Sequence, residues 1–598
     1  MMSGQPVAAS HSGGQRRFQL ILIKPSHYDE QGYVIQWAFS WLMSNTLAVL
    51  RGLAIDIAER QVLGPNVAID TTTIDETISR VRIKDILRRV RRHSGFAMVG
   101  LVGVQSNEFP RAIDIARPLR AAGIPVIIGG FHVSGCLSML SELPEDLQEA
   151  LNLGVSLFAG EAEGRVDDNL RDAAAGALKP VYNFVKDLVP LESAPKPIAA
   201  TCDIRRLKVP CLDAGRGCPY QCSFCTIINV HGRKSRSRSS DDIASILRQY
   251  WKLGRRKLFI TDDNFARNPN WELILDQIIF LRQRENIKFR LYLQVDALCH
   301  KIPRFIEKSA RAGVGWVFIG LENINPENLR AAKKPQNKIT EYRRMLLAWR
   351  AAGIVTIGGY ILGFAADTPA SIRTSIDIIK RELPIDFLQF YCLTPLPGSE
   401  DHRVMVEAGT CMDSDMNKYD AEHAVVDHPL MSREEWTESY NDAWNRYYER
   451  THCLTILRRA RATGIGLLRV MEDLVGLSSM AAIEKLHPIQ TGLLRRRYRG
   501  DRRAGHTSEP AWMFYPRYGA ETAIKLGRLA GRTLYLWALV AYVYCQAGAK
   551  RYTDRALTPV SEDETDTLML FTHSPSAREA VSHARKIAAL TTSAANKV

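Results

Sequence analysis

Apolar residues gather along this chain in short, nearly unbroken runs, and the stretches between them carry an apolar position every three or four residues. Phe18 to Lys24, Val67 to Asp70, Ala97 to Val104, Pro125 to Gly129 and Val155 to Ala159 are runs of the first kind, suited to parallel strands buried on both faces. Ser44 to Glu59, Ile83 to Arg92, Phe109 to Ala122 and Leu143 to Leu153 are of the second kind and predict helices; Pro110 sits in the first turn of the third and Gly123 just past its end. Strands alternating with helices of this length give an α/β, Rossmann-like doubly wound parallel sheet over 18–163, with ligands at the carboxyl ends of the strands. Those ends carry Ser106 and Asn107, Gly129, Gly130 and His132, and Gly160 and Glu161.

Between 164 and 208 the periodicity is broken by an alanine-rich stretch and by Pro180, Pro190, Pro195 and Pro197, as in a linker. A second alternation occupies 209–400. Its strands are Val209 to Ala214, Lys257 to Thr261, Phe289 to Val295, Trp316 to Leu321, Thr356 to Leu362 and Phe387 to Leu393, each but the last followed by a helical pattern. Six strands are two short of a closed eightfold barrel, so one side stays open to a bulky ligand. Their carboxyl ends place Asp262 and Asp263, Gln294 and Asp296, Glu322, Gly359, Ile361 and Gly363, and Leu393 around one mouth.

From 401 to 558 the pattern is basic and mainly helical. The Trp/Tyr stripe of Glu434 to Thr451 suits a core face. Thr533 to Cys545 is thirteen residues of apolar chain, short of the roughly 20 that a spanning helix needs. Flanked by Arg528, Arg532, Lys550 and Arg551, it suits either burial against the barrel or rest on a membrane surface. Residues 1–17 read as a loose, disordered arm and 559–598 as a terminal helix and tail.

Composition adds compartment and charge. With 598 residues, 46% hydrophobic and 24% charged, the chain exceeds one core and is too apolar for disorder. Eleven cysteines without a disulfide framework fit a reducing cytoplasm. The net charge is +15, and from Thr451 onward 22 Lys/Arg stand against 12 Asp/Glu. A phospholipid surface, RNA or plain solvation would each suit that excess.

The candidate chemistry lies in Gly215-Arg216-Gly217-Cys218-Pro219-Tyr220-Gln221-Cys222-Ser223-Phe224-Cys225. Cys218, Cys222 and Cys225, spaced C-x3-C-x2-C, can hold three corners of an iron–sulfur cube and leave one iron open. A zinc loop would ordinarily show a second cysteine or histidine pair, and none is present. The loop resembles that of the radical S-adenosylmethionine (SAM) family. The resemblance implies a partial barrel, a 4Fe-4S cluster held by the three cysteines, and Phe224 near the adenine of SAM. It further implies SAM contacts at Asp262 or Asp263 (methionine ammonium), Gln294 and Asp296 (ribose), Glu322 (carboxylate or sugar), Gly359, Ile361 and Gly363 (adenine wall) and Leu393 (closing loop). Asp262 and Asp263 equally suit a helix N-cap. Gly232 to Ser240, rich in Arg and Ser, reads either as a nucleic-acid patch or as Arg236 or Arg238 offsetting cluster or SAM charge, with Ser239 or Ser240 capping the next helix.

A Rossmann-like domain ahead of such a barrel resembles the cobalamin-binding-domain-containing radical SAM proteins. Cobalamin is then expected near Ser106, Asn107, Gly129, Gly130, His132, Gly160 and Glu161, although the D-x-H-x-x-G motif is absent. The implied activity is reductive cleavage of SAM to a 5′-deoxyadenosyl radical, for cobalamin-dependent methylation of an unactivated carbon in a large hydrophobic substrate, with flavodoxin or ferredoxin as reductant. A corrin-free oxidative cyclase, dehydrogenase or rearrangement enzyme is the alternative. RNA-modifying methylthiotransferases carry a second cysteine triad in the first domain, where this chain has only Cys136, so nucleic acid is not the expected partner; a membrane-surface iron–sulfur protein remains the other class.

Overall fold

The computed structural model describes residues 16–559, apart from 193, 200–205, 335 and 338–340, together with residue 582. Nearly all of the expected tail and of the N-terminal arm lies outside the described residues. The first strand begins at Arg16, inside the expected arm. The N-terminal region supplies β1 (Arg16–Lys24), β2 (Gln36–Leu42), β3 (Val67–Asp75), β4 (Ala97–Val102), β5 (Val126–Gly129), β6 (Ser156–Ala159) and β7 (Val181–Asn183). All but β2 form one sheet in the order β3-β1-β4-β5-β6-β7, every pair parallel. Alternation along β1 sends Ile21 and Ile23 into the core on one face and Phe18, Leu20 and Leu22 into that on the other, as a doubly covered sheet requires. The sheet runs past the expected boundary at 163, because the helix Val166–Ala174 and β7 complete it. The helix Phe131–Met139, directly after the Gly129-Gly130 turn, was not expected.

The second region supplies β8 (Leu207–Val209), β9 (Cys211–Leu212), β10 (Gly215–Arg216), β11 (Arg236–Ser237), β12 (Lys257–Ile260), β13 (Arg290–Val295), β14 (Val314–Glu322), β15 (Val355–Leu362) and β16 (Phe387–Cys392). Six of them form the parallel sheet β16-β15-β14-β13-β12-β9, with β9 and β16 as its edges. This is the expected open barrel, with its strands within a few residues of their sequence-derived bounds. β2 leaves the first domain to pair with β8 and, antiparallel, with β17 (Gly492–Arg496) of the C-terminal region. That three-stranded sheet ties the two ends of the chain together.

The C-terminal region is mainly helical. Arg433–Tyr447 and Arg450–Ala462 send Trp436, Tyr447 and Ile456 into the same core as the barrel strands. The aromatic stripe is therefore a packing face. The apolar run at Thr533 to Cys545 is the end of a 35-residue helix, Ala511–Cys545.

Two glycines set how the first domain meets the barrel. A Cβ on Gly135, in the helix Phe131–Met139, would stand 2.3 Å from the carbonyl oxygen of Pro397, and one on Gly398 would stand 2.6 Å from Cα of Gly135. Only bare backbone permits that approach.

Candidate functional site

The cysteine loop is clamped at its base. Gly215–Arg216 pairs antiparallel with Arg236–Ser237, and Asp262 Oδ1 accepts from the amides of Ala214 (2.8 Å) and Gly215 (2.7 Å). Asn268 donates to the other oxygen of Asp262 at 2.7 Å, and burial pushes this carboxyl up to about 7. Asp263 accepts from the Gly217 amide at 2.7 Å and meets His231 Nδ1 at 3.1 Å. Gly217 has a φ of 97°, and a Cβ there would lie 2.5 Å from the Lys234 carbonyl oxygen. Higher in the loop the Cys218 amide donates to Gly232 and that of Ser223 to Ala332. The backbone between the thiols is thus held from both sides.

None of the three thiols is in a disulfide, and Cys222 is buried. Burial raises all three, Cys225 to about 12; Cys222 further opposes ionisation of Cys218, and both oppose that of Cys225. Gln336 Nε2 reaches Cys222 Sγ at 3.3 Å. Thiols gathered in this way become thiolates only beside strong positive charge, such as the irons of a cluster, so they fit a 4Fe-4S group. Among the described residues no three His, Cys, Asp or Glu side chains converge as ligands of a single ion do. Thiolates on separate corners of a cube share no such point.

An 830 Å³ cavity occupies the barrel interior, and Phe224, Gln294, Glu322, Gly359, Ile361 and Leu393 all line it. Phe224 and Leu393 pack on Ile361 as one apolar wall. Glu322 ends β14 at a register shift with a φ of 61°, a left-handed conformation that a non-glycine residue adopts only under constraint. It forms an ion pair with Lys334, whose ammonium also donates to the Gly320 carbonyl at 3.1 Å and stands 5.8 Å from the Phe224 ring centre. Gly359 is required because a Cβ would meet the Phe318 ring at 2.8 Å.

Four expected SAM contacts are engaged elsewhere. Asp262 holds the base of the cysteine loop. Asp263 faces the opposite side of that loop. Asp296 is saturated by Arg267, Asn264 and the Leu298 amide. Gly363, at a φ of 96°, makes room for Trp436, whose indole a Cβ would strike at 1.9 Å. Lys334 escaped the sequence reading because Lys333-Lys334-Pro335 looks like a solvated charge run; its position three residues past an apolar helix end was the available signal.

A second cavity of 370 Å³ lies between the carboxyl ends of the first sheet and the cysteine loop, lined by Gly129, Gly130, Gly160, Glu161, Arg216 and Asp263 among others. Ser106, Asn107 and His132 do not line it. His132 is buried, with Nδ1 3.2 Å from Ser106 Oγ and Nε2 2.8 Å from Asp146 Oδ2. It braces the sheet's loops, and Glu161 likewise serves as an anchor. Arg236 pairs with both Glu161 oxygens at 2.6 and 2.8 Å, and Arg216 joins Glu163 and Asp213 at 2.7 Å each. Arg238 is fully buried and donates to the Asp213 carbonyl at 3.0 Å. None of these three shows a bond to the thiols; Arg216 and Arg236 tie the cysteine loop to the first domain, and Arg238 braces Asp213 at the foot of the loop. Ser239 caps the following helix, as expected.

The model of the radical SAM superfamily matches residues 213–379. This stretch is a radical SAM domain. Relatives of the chain include the bacteriochlorophyllide d C-8(2)-methyltransferase of Chlorobaculum tepidum, 27% identical over 60% of this chain and 79% of its own. The hopanoid C-2 methylase of Rhodopseudomonas palustris is 25% identical over 53% of this chain and 60% of its own. In fold, the apo form of the cobalamin-dependent S-adenosylmethionine radical enzyme OxsB is similar at a TM-score of 0.51 and 15% identity, over 92% of this chain and 83% of that one. The protein is a radical SAM enzyme related to methyltransferases. A radical SAM domain implies a 4Fe-4S cluster and SAM as its cofactors.

Proposed function

We propose that this enzyme transfers a methyl group to an unactivated carbon of a large apolar substrate, with cobalamin as carrier. When bound, the cluster supplies the electron that cleaves SAM to methionine and a 5′-deoxyadenosyl radical, and cobalamin supplies the methyl group. Cys218, Cys222 and Cys225 hold the cluster. Glu322 and Lys334 offer an anion and a cation within one ion pair, matching the ammonium and carboxylate of the methionine end of SAM. Phe224, Ile361 and Leu393 receive the adenine, Gln294 meets a ribose hydroxyl, and the apolar wall excludes water from the radical.

The observation that carries the cobalamin reading is the glycine-backed cavity beside the cysteine loop. Gly103, Gly129, Gly130 and Gly160 line it at the strand ends, where no side chain projects from them. Such bare backbone admits a broad, flat group. With His132 engaged by Ser106 and Asp146, it is not the residue that would ligate cobalt there. The reductant is a small electron carrier of the flavodoxin or ferredoxin kind.

Anaerobic reconstitution with iron, sulfide and hydroxocobalamin tests this. Corrin absorption is expected to co-purify with the chain, and methyl from labelled SAM to appear in product. Alanine at Cys218, Cys222 and Cys225 is expected to reduce deoxyadenosine formation to background. A chain that makes deoxyadenosine yet takes up no corrin would overturn the cobalamin reading in favour of a corrin-free radical reaction.

A further inference from the structure

The long helix Ala511–Cys545 touches the rest of the protein along one narrow side. Phe514, Leu536, Val540 and Val543 are its buried residues. Its outward positions include Met513, Ile524, Leu534, Trp537, Tyr542 and Tyr544, with Leu534 69% and Trp537 59% exposed. Between these large side chains the outer face is mostly Gly and Ala, and only Arg517 and Arg528 among the helix's exposed positions carry charge. Both arginines fall on one edge of the apolar arc at the 100° step of a helix. Exposed Lys550 and Arg551 follow its end. Nine of the nineteen large apolar side chains exposed on the described surface belong to this one helix, so the patch is not the scatter an ordinary surface carries.

Among the described residues no helix is long and apolar enough to cross a membrane. A helix with a wide apolar face, Trp and Tyr toward both ends and a basic edge instead suits the plane of a lipid interface. A second copy of the chain fits less well. Self-complementary contact would set the same arginines against this face, and no exposed position on it offers a carboxylate to meet them. The one carboxylate on the helix, Glu521, pairs with Arg497 and Lys525. Anionic headgroups supply what the face lacks. The barrel cavity also reaches this helix, at Thr533 and at the π-helical turn Val475–Ser479 packed beside it, so a molecule dissolved in lipid would find the apolar lumen close by.

We propose that the outer face of Ala511–Cys545 docks on an anionic lipid surface. The docking stands apart from the proposed methyl transfer and is tested without turnover. Full-length protein is sedimented with vesicles of mixed phosphatidylglycerol and phosphatidylcholine, and with phosphatidylcholine alone. Retention is expected on the mixed vesicles, weaker on the neutral ones and falling as salt rises. The pair Leu534→Glu and Trp537→Glu is expected to weaken retention about tenfold or more, and Arg528→Glu about fivefold. Ile524→Glu, about three turns earlier on the same face, should repeat the loss if the face acts as a whole. Unchanged circular dichroism and deoxyadenosine formation would show that the variants remain folded. Intact protein left in the supernatant, or variants retained equally, would overturn the proposal. So would a concentration-dependent dimer that the same pair of substitutions dissolves while vesicles bind nothing, since the face would then belong to a second copy.

Discussion

Two cavities flank one cysteine loop and are built by different means. The barrel cavity is shaped by side chains: aromatic and aliphatic walls, with Gln294 and Glu322 aimed inward and Lys334 paired with Glu322. The cavity between the domains has aliphatic and aromatic walls too, but its strand ends are bare backbone at Gly129, Gly130 and Gly160, with an arginine–carboxylate lattice beside them. Side chains that converge on one point select a small polar ligand by its groups, whereas bare backbone admits a broad one by its shape. Substitutions in the first cavity should therefore cost affinity, and those in the second should cost structure.

The largest effect is expected at the backbone cavity. Gly130→Ala puts a methyl group 2.2 Å from the Val104 amide nitrogen at a φ of 155°, and no flexible side-chain end can yield there. A loss of about 3 kcal/mol or more is expected, read as a lower urea midpoint together with lost corrin uptake. A midpoint within error of the parent would mean that the turn relaxes freely and that the cavity is not set by its glycines.

The side-chain cavity should behave in the opposite way. Replacing Glu322 and Lys334 together by Gln and Met removes a buried pair without stranding either charge, a change that is commonly near neutral for stability. The urea midpoint should hardly move. The KM for SAM in deoxyadenosine formation should rise about tenfold to a hundredfold, the range expected for two lost charge-assisted contacts. Unchanged KM with a collapsed midpoint would reverse the assignment and make the pair a structural brace.

The same contrast accounts for what the sequence revealed. Strands of the two sheets announce themselves as local apolar runs, and the cysteine loop is contiguous, so both were legible. Carboxylates were not. Asp262, Asp263 and Asp296 sit at strand ends as Glu322 does, but which of them faces a ligand depends on whether backbone amides or arginines from elsewhere claim them first, and those partners are remote in sequence. β2 went unseen because its pairing residues come from the linker and from the C-terminal region. The helix Phe131–Met139 went unseen because Phe-His-Val-Ser-Gly-Cys-Leu-Ser-Met has almost no apolar periodicity. The long C-terminal helix was read only in its last third, since Pro516 and three glycines interrupt the pattern that the fold nevertheless continues.

The smallest effect, a pH dependence, sharpens the view of the barrel cavity at its far end. Asp473, from the helix Leu467–Leu474, lines that cavity beside Lys257 and accepts from Trp316 Nε1 at 2.7 Å. Burial pushes its carboxyl up to about 7, against the opposing pull of the Trp316 hydrogen bond and of Lys257 and Arg469. The folded chain therefore holds this proton more tightly than the unfolded chain between about pH 4 and 7. Stability should fall as pH rises through that window and level off above it. Asp473→Asn keeps an oxygen for the indole and removes the titration, so its stability relative to the parent should improve from pH 5 to pH 8, by at most a few kcal/mol. Urea midpoints measured across that range check it: converging curves at low pH and a variant advantage at high pH are expected, whereas parallel curves would mean that Asp473 is already ionised, and that the floor of the cavity offers a substrate a fixed negative charge.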